Sequence, residues 1–292
     1  MDKTFETPGG VDLSVEVHSG LVVVTATETD RTSVSVEADT AGAEELVERA
    51  IVECRPSGSR HAVVVELPRV YGMRLLRRNA VTVRVEVPAG AQVTVATASA
   101  DVEINGPVGE VDFKTASGDA SIDDVAADVT MKSASGNMTI GKVGGGIRAY
   151  TVSGDLRCSS VAGAAVFSAT SGNLELGAAG SRVEVKATSG DVRLGELAAG
   201  AEVKNVSGNV RVLAVGEGTL KVRSVSGDVA VGVVKGVELH VDVETASGMV
   251  HSDIPLTNAP GEGGARPGAR VDLSVRSVSG NVEIGRALEH VA

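Results

Sequence analysis

The dipeptide Ser-Gly recurs at Ser117-Gly118, Ser135-Gly136, Ser153-Gly154, Ser171-Gly172, Ser189-Gly190 and Ser207-Gly208, at a constant spacing of 18. Ser99-Ala100 is an imperfect copy one period upstream, and Ser226-Gly227, Ser247-Gly248 and Ser279-Gly280 follow at spacings of 19, 21 and 32. A fixed period of this length identifies a repeat architecture, in which no unit buries its own apolar face without a neighbour. Apolar residues keep register with the dipeptide. One column runs Val102, Ala120, Met138, Leu156, Leu174, Val192, Val210 and Val229, and a second runs Ile104, Ile122, Ile140, Cys158, Leu176, Leu194, Val212 and Val231. A third, directly before the Ser, holds Ala98, Ala116, Ala134, Val152, Thr170, Thr188, Val206 and Val225 and reads as a further half-buried column. Apolar-x-apolar triplets rich in β-branched residues are short strands, not helices.

Every unit places the same turn at the same point, whereas hairpins would alternate two kinds of turn. The expected fold is therefore all-β: a single-stranded parallel β-helix with three short faces, one repeat of about 18 residues forming each coil. The repeat lacks the hexapeptide texture of left-handed helices, so a right-handed coil is expected. Residues 97–292 form this repeat domain. Residues 1–96 do not show the period and read as a β-rich cap, with strands over 11–17, 21–27, 33–38, 62–67, 81–87 and 93–97. Thr40 as N-cap predicts one short helix over 41–50. A cap is needed because an open coil end is an unpaired sheet edge.

Stacked coils turn each repeat position into a ladder. The Ser column offers hydroxyls that both donate and accept between coils. A structural corner outweighs a nucleophile here, since no His or Lys recurs at a matching position. The next column alternates without a break: Asp119, Asn137, Asp155, Asn173, Asp191, Asn209, Asp228. Carboxylates stacked at about 4.8 Å would repel. Interleaved Asn doubles the charge spacing and sets an amide donor beside each carboxylate. A calcium ladder is the alternative, without the Gly-Gly-x-Gly-x-Asp texture of calcium-binding nonapeptides. Outward positions such as Arg157, Glu175, Arg193 and Arg211, or Glu184, Lys186, Glu202 and Lys204, read as solvated faces. Arg69, Arg74, Arg77 and Arg78 form a basic cluster that could take an anion or an acidic partner. Residues 256–269, rich in Gly and Pro, read as a loop.

A net charge of −11 excludes a general nucleic-acid binder. The N-terminus shows no basic-then-apolar leader, and no continuous apolar run is long enough to span a bilayer. A cytoplasmic location without membrane insertion is the expectation. Cys54 and Cys158, and the five His, have no metal-like spacing, so neither metal nor cofactor is expected.

The Ser-Gly-Asp-Val-x-Leu units, with the lead-in Val87-Pro88-Ala89-Gly90-Ala91, resemble the bacterial putative-adhesin family of β-strand-repeat domains of unknown function. The resemblance implies a β-helical domain often tied to the cell envelope, with no catalytic motif to carry over. The architecture is also similar to the self-assembling bactofilins. The leading functional expectation is a non-catalytic scaffold or binding module. Its partners would be protein, or further copies meeting through coil ends or edges, with polysaccharide a weaker option. The alternative is a carbohydrate-active enzyme of the pectin-lyase β-helix type, for which the Asp ladder beside Arg157, Arg193 and Arg211 is the candidate site.

Overall fold

The structure, a computed structural model, describes residues 1–40, 42–68, 80–254 and 269–287. They group into two compact units, Met1–Gly145 and Gly146–Ala292. Both are all-β solenoids of parallel strands.

In the first unit, Val111–Ser117 pairs in parallel with Val129–Ser135, in register one repeat apart (Val111↔Val129, Ser117↔Ser135). Ala120–Ile122 stacks likewise on Met138–Val143. Isolated bridges Val108↔Val125 and Val125↔Val143 form the third, shortest face. Parallel stacking also extends upstream. Gly10–Thr27 is one unbroken strand that pairs in parallel with Gln92–Asn105 (Ser19↔Ser99, Gly20↔Ala100). On its other side it pairs in parallel with Arg60–Glu66 and Val81–Pro88. Ser19-Gly20 is thus a corner like the later ones, with Gly20 at φ +125°. Antiparallel strands flank the outermost coil: Arg31–Ala38 against Val81–Pro88, Asp2–Glu6 against Arg31–Ala38, and Ile51–Ser57 against Arg60–Glu66. Sequence reasoning passes over Ile51–Ser57, which carries Pro56, a residue confined to edge positions of sheets. The helix is shorter than expected. It spans Glu44–Glu48, and its N-cap is Ala43, with no side-chain cap.

In the second unit, coils follow the sequence from Ile147–Ser153 and Leu156–Val161 to Gly218–Ser226 and Val229–Val233. The last two then exchange places. Gly218–Ser226 pairs with Arg270–Ser279, and Arg270–Ser279 pairs with Glu238–Ser247. The coil latest in sequence is therefore inserted beneath the one before it, and Glu238–Ser247 with Val250–Ser252 forms the outer coil.

Each interior is a set of aliphatic files, such as Leu156, Leu174, Val192, Val210, Val229 and Val282, all at most 1% exposed. Phe113 and Phe167 are fully buried. The third apolar column, however, faces out: Val152, Val206, Val225 and Val278 are 47–55% exposed. The inward position lies one residue earlier, at Thr151, Ala169, Ala187, Asn205, Ser224 and Ser277, because strict alternation carries the buried parity past the last valine of each strand.

At the corner, the Gly N–H donates to the Ser carbonyl of the adjacent coil, as in Gly172 N–H to Ser189 O at 3.1 Å and Gly190 N–H to Ser207 O at 3.0 Å. Gly190 has φ +124°, and a methyl on it would overlap the Gly172 carbonyl oxygen. Only glycine satisfies both the left-handed backbone and the contact. Gly190→Ala is expected to lower unfolding free energy by about 2–4 kcal/mol in urea titration. Gly216→Ala, where the nearest atom is 3.8 Å away, is expected to cost less than about 1 kcal/mol.

Candidate functional site

The Asp/Asn column sits at the corner, and each side chain does one job. Its Oδ1 accepts the backbone N–H of the equivalent residue in the next coil. In the first unit Asp101 accepts from Asp119 at 2.9 Å, and Asp119 accepts from Asn137 at 2.7 Å. In the second, Asp155, Asn173, Asp191 and Asn209 accept from Asn173, Asp191, Asn209 and Asp228 at 2.8–3.0 Å. The file continues through the exchanged coils: Asp228 accepts from Asn281 at 2.8 Å, and Asn281 accepts from Met249 at 3.1 Å. Acid and amide thus still alternate, through Asn281. The Met249 N–H takes part in this bond, but its side chain has no oxygen to offer a further coil. Sequence reasoning misses Asp101 and Asn281. The alternation itself calls for an amide after Asp228, and Met249 is not one.

Asn173 Nδ2 also donates to Asp155 Oδ1 at 3.2 Å, the amide beside a carboxylate that the column implies. The Asn173 backbone N–H holds the Asp155 carboxyl below its usual range, outweighing the opposing effect of burial, and Arg157 at 2.9 Å from Oδ2 adds to it.

Ser117, Ser135, Ser153, Ser171, Ser189 and Ser207 are exposed, and their coil-to-coil bonds run through backbone carbonyls, not the hydroxyl chain expected. Polar side chains do line the corner, but inside it: Thr97 Oγ1 donates to Thr115 Oγ1 at 2.9 Å, and Asn205 Nδ2 donates to Gly208 O at 2.8 Å.

Arg193 and Arg211 stand beside Asp191, Asn209 and Asp228 along a groove of about 420 Å³. This is the site the pectin-lyase reading requires. Its carboxylates spend an oxygen on backbone N–H groups, and Arg157 is laid between Asp155 and Glu175. Burial lifts the Cys158 thiol to about 12, which leaves it without nucleophilic thiolate. Among the described residues no cluster of three or more His, Cys, Asp or Glu is placed to hold a metal. His240 and His251 lie on different strands of one coil, in register with Asp272 and Glu283 respectively. Arg69, Arg74, Arg77 and Arg78, and residues 256–268 of the loop, lie outside the described residues.

A second groove, of about 340 Å³, is not legible in the sequence. It runs across the strands Ala165–Ser171, Val183–Ser189, Gly200–Ser207 and Gly218–Ser226. Lys186, Lys204 and Arg223 are in register along it, and Val206 and Val225 form its other bank. A smaller recess of about 160 Å³ adjoins it at Arg223 and adds Lys221 and Arg276. No lining residue of either is acidic.

The family model of Toastrack DUF4097 matches residues 11–285, coils and flanking strands together. The chain belongs to the Toastrack DUF4097 family. A comparison with curated proteins finds no significant match. Solved structures similar to this Toastrack chain include one described as a putative adhesin from Bacteroides fragilis, 12% identical over 97% of this chain and 96% of that one, TM-score 0.42. Another, described as a putative adhesin from Parabacteroides distasonis, is 14% identical over 97% and 96%, TM-score 0.33. A third from that organism, described as a putative lipid binding protein, is 10% identical over 99% and 96%, TM-score 0.33. No helix among the described residues is long and apolar enough to cross a membrane.

Asp155→Ala is expected to cost about 0.5–1.5 kcal/mol in denaturant unfolding, because the Asn173 N–H loses its acceptor. Asp155→Asn, which keeps an oxygen there, should cost less. Since folding depresses the carboxyl's pKa, its ionic contribution is complete above the unfolded value near 4 and is lost as pH falls through the folded one. Acid unfolding below about pH 4 should therefore be less steep in Asp155→Asn than in the parent.

Proposed function

We propose that this chain is a non-catalytic β-solenoid binding module of adhesin-like type, with the acid-free basic groove as its working face. The observation that carries this reading is how the polar groups are divided. The corner carboxylates are committed to backbone N–H groups, while five cations line a surface open to solvent. In a chain of net charge −11, a groove without one acidic lining residue is a local reversal of sign, the kind of field that concentrates an anionic partner. The exposed valine file beside it supplies apolar contact surface.

The enzymatic alternative has a direct test. The chain is incubated with polygalacturonate, and new reducing ends or unsaturated products are measured. No turnover is expected; turnover abolished by Asp155→Ala or Asp191→Ala would overturn the module reading.

Association through the coil end is a second reading, favoured by the outer coil. Among the described residues, Glu238–Ser247 has no strand partner on its outer edge, and Met249 is 74% exposed. Its outward residues Glu238, Asp242 and Glu244 are acidic, so two such edges meeting face to face would repel. A protein strand with basic outward residues fits better than a second copy. Light scattering from micromolar concentration upward is expected to report a constant mass; growth with concentration would instead establish end-to-end assembly.

A further inference from the structure

We infer that the basic groove binds a linear anionic polysaccharide carrying a carboxylate on each sugar, laid along the stacking axis. The inference rests on the module reading and names its ligand. Lys186, Lys204, Arg223 and Arg276 occupy one register position on four successive coils. Their backbones therefore repeat at about 4.8 Å. A pyranose unit advances a linear glycan by close to one coil rise, and in a near-two-fold uronate chain alternate carboxylates face the same side, so those facing the groove recur at close to two coil rises and meet every second cation of the file. An extended peptide does not. Side chains on one face of a strand repeat every two residues, about 6.6 Å, and drift out of phase within two coils.

The charge is available. Lys186, Lys204 and Arg276 pair with Glu184, Glu202 and Glu244 at 2.8, 2.9 and 3.5 Å; none of these carboxylates lines the groove, and Glu244, in register with Arg276 on the outer coil, ends the cation file there. Lys221 and Arg223 make no direct ion pair with any described residue; Glu202, in register with Lys221 and held below its usual pKa by Lys204 and in part by Arg223, is the carboxylate that offsets them in part. The opposite bank suits a sugar. Val206 and Val225, each 47% exposed, offer methyl groups to pyranose C–H faces, and Thr170 and Thr188 add hydroxyls. At the far end of the cation file, Tyr150 is in register with Ser168 and 40% exposed. It is placed to stack on a terminal ring, the contact that aromatic side chains give carbohydrates.

The test is calorimetric titration of the full chain with galacturonate oligomers of defined length at fixed, low salt. Affinity should rise from monomer to tetramer and then level off, because four coils carry the file. Fully methyl-esterified oligomers should bind at least about ten-fold more weakly, as should the variant Lys221→Glu/Arg223→Glu. Arg193→Glu/Arg211→Glu makes the same charge change on another face and should leave affinity within about two-fold. Lys221→Gln/Arg223→Gln, checked for an unchanged circular-dichroism spectrum, guards against misfolding. The inference falls if esterified and free oligomers bind alike, if length has no effect, if the control pair weakens binding equally, or if polyglutamate binds more tightly than the tetramer. Absence of any oligouronate binding would remove this ligand and leave the module reading standing, whereas turnover lost in the Asp variants would remove the module reading.

Discussion

A coil can lie on its neighbour only if the chain turns the same corner in the same way each time. In this protein that demand concentrates on one peptide unit. The glycine N–H must reach the next coil's serine carbonyl, and its Cα must pass so close to the glycine carbonyl on the other side that no side chain fits. The rest of the coil can vary as long as this step repeats. The register shift among the later coils falls away from this step, between Val212 and Val215, while the corner serines stay paired.

The neighbouring column shows what such a corner costs in polar groups. The turn leaves a backbone N–H without a sheet partner, and the side chain one coil away supplies the oxygen. Asp and Asn serve equally as acceptors, which frees the choice between them for controlling charge. From Asp119 onward, alternating them keeps carboxylates two coils apart, as where the Asn173 amide stands beside Asp155; only Asp101 and Asp119 put two acids on adjacent coils of the described column. The same economy commits one oxygen of each such carboxylate to a backbone N–H. The outward faces carry register files of cations and of exposed valines.

The parallel solenoid is legible because Ser-Gly punctuates the chain at a constant interval and apolar columns keep step with it. The hydrogen-bonding logic of the Asp/Asn column is only half legible. Charge alternation is visible in letters, but an N–H donor is not. Ser19-Gly20 is hidden because it stands far upstream of Ser99, and the intervening antiparallel strands and helix mask the period. The third column is misplaced by sequence reasoning because valine before the corner looks like core, yet parity puts it in solvent. The basic groove is invisible for a related reason. Lys186 and Lys204 read in sequence as partners of Glu184 and Glu202, and only stacking aligns them with Arg223 and Arg276.

The swapped order of the final two turns bears on how the molecule is assembled as it is made. Among the described residues, 238–252 find their strand partners only in Arg270–Ser279 and Val282–Arg286. Growth of the stack during synthesis cannot therefore proceed turn by turn to the end. The layer ending at Val233 meets its final neighbours only in Arg270–Ser279 and Val282–Arg286, which also carry the outer layer. Completion of this stack is tied to Arg270–Ser279, and a chain halted before it leaves both Gly218–Ser226 and Glu238–Ser247 without their shared neighbour.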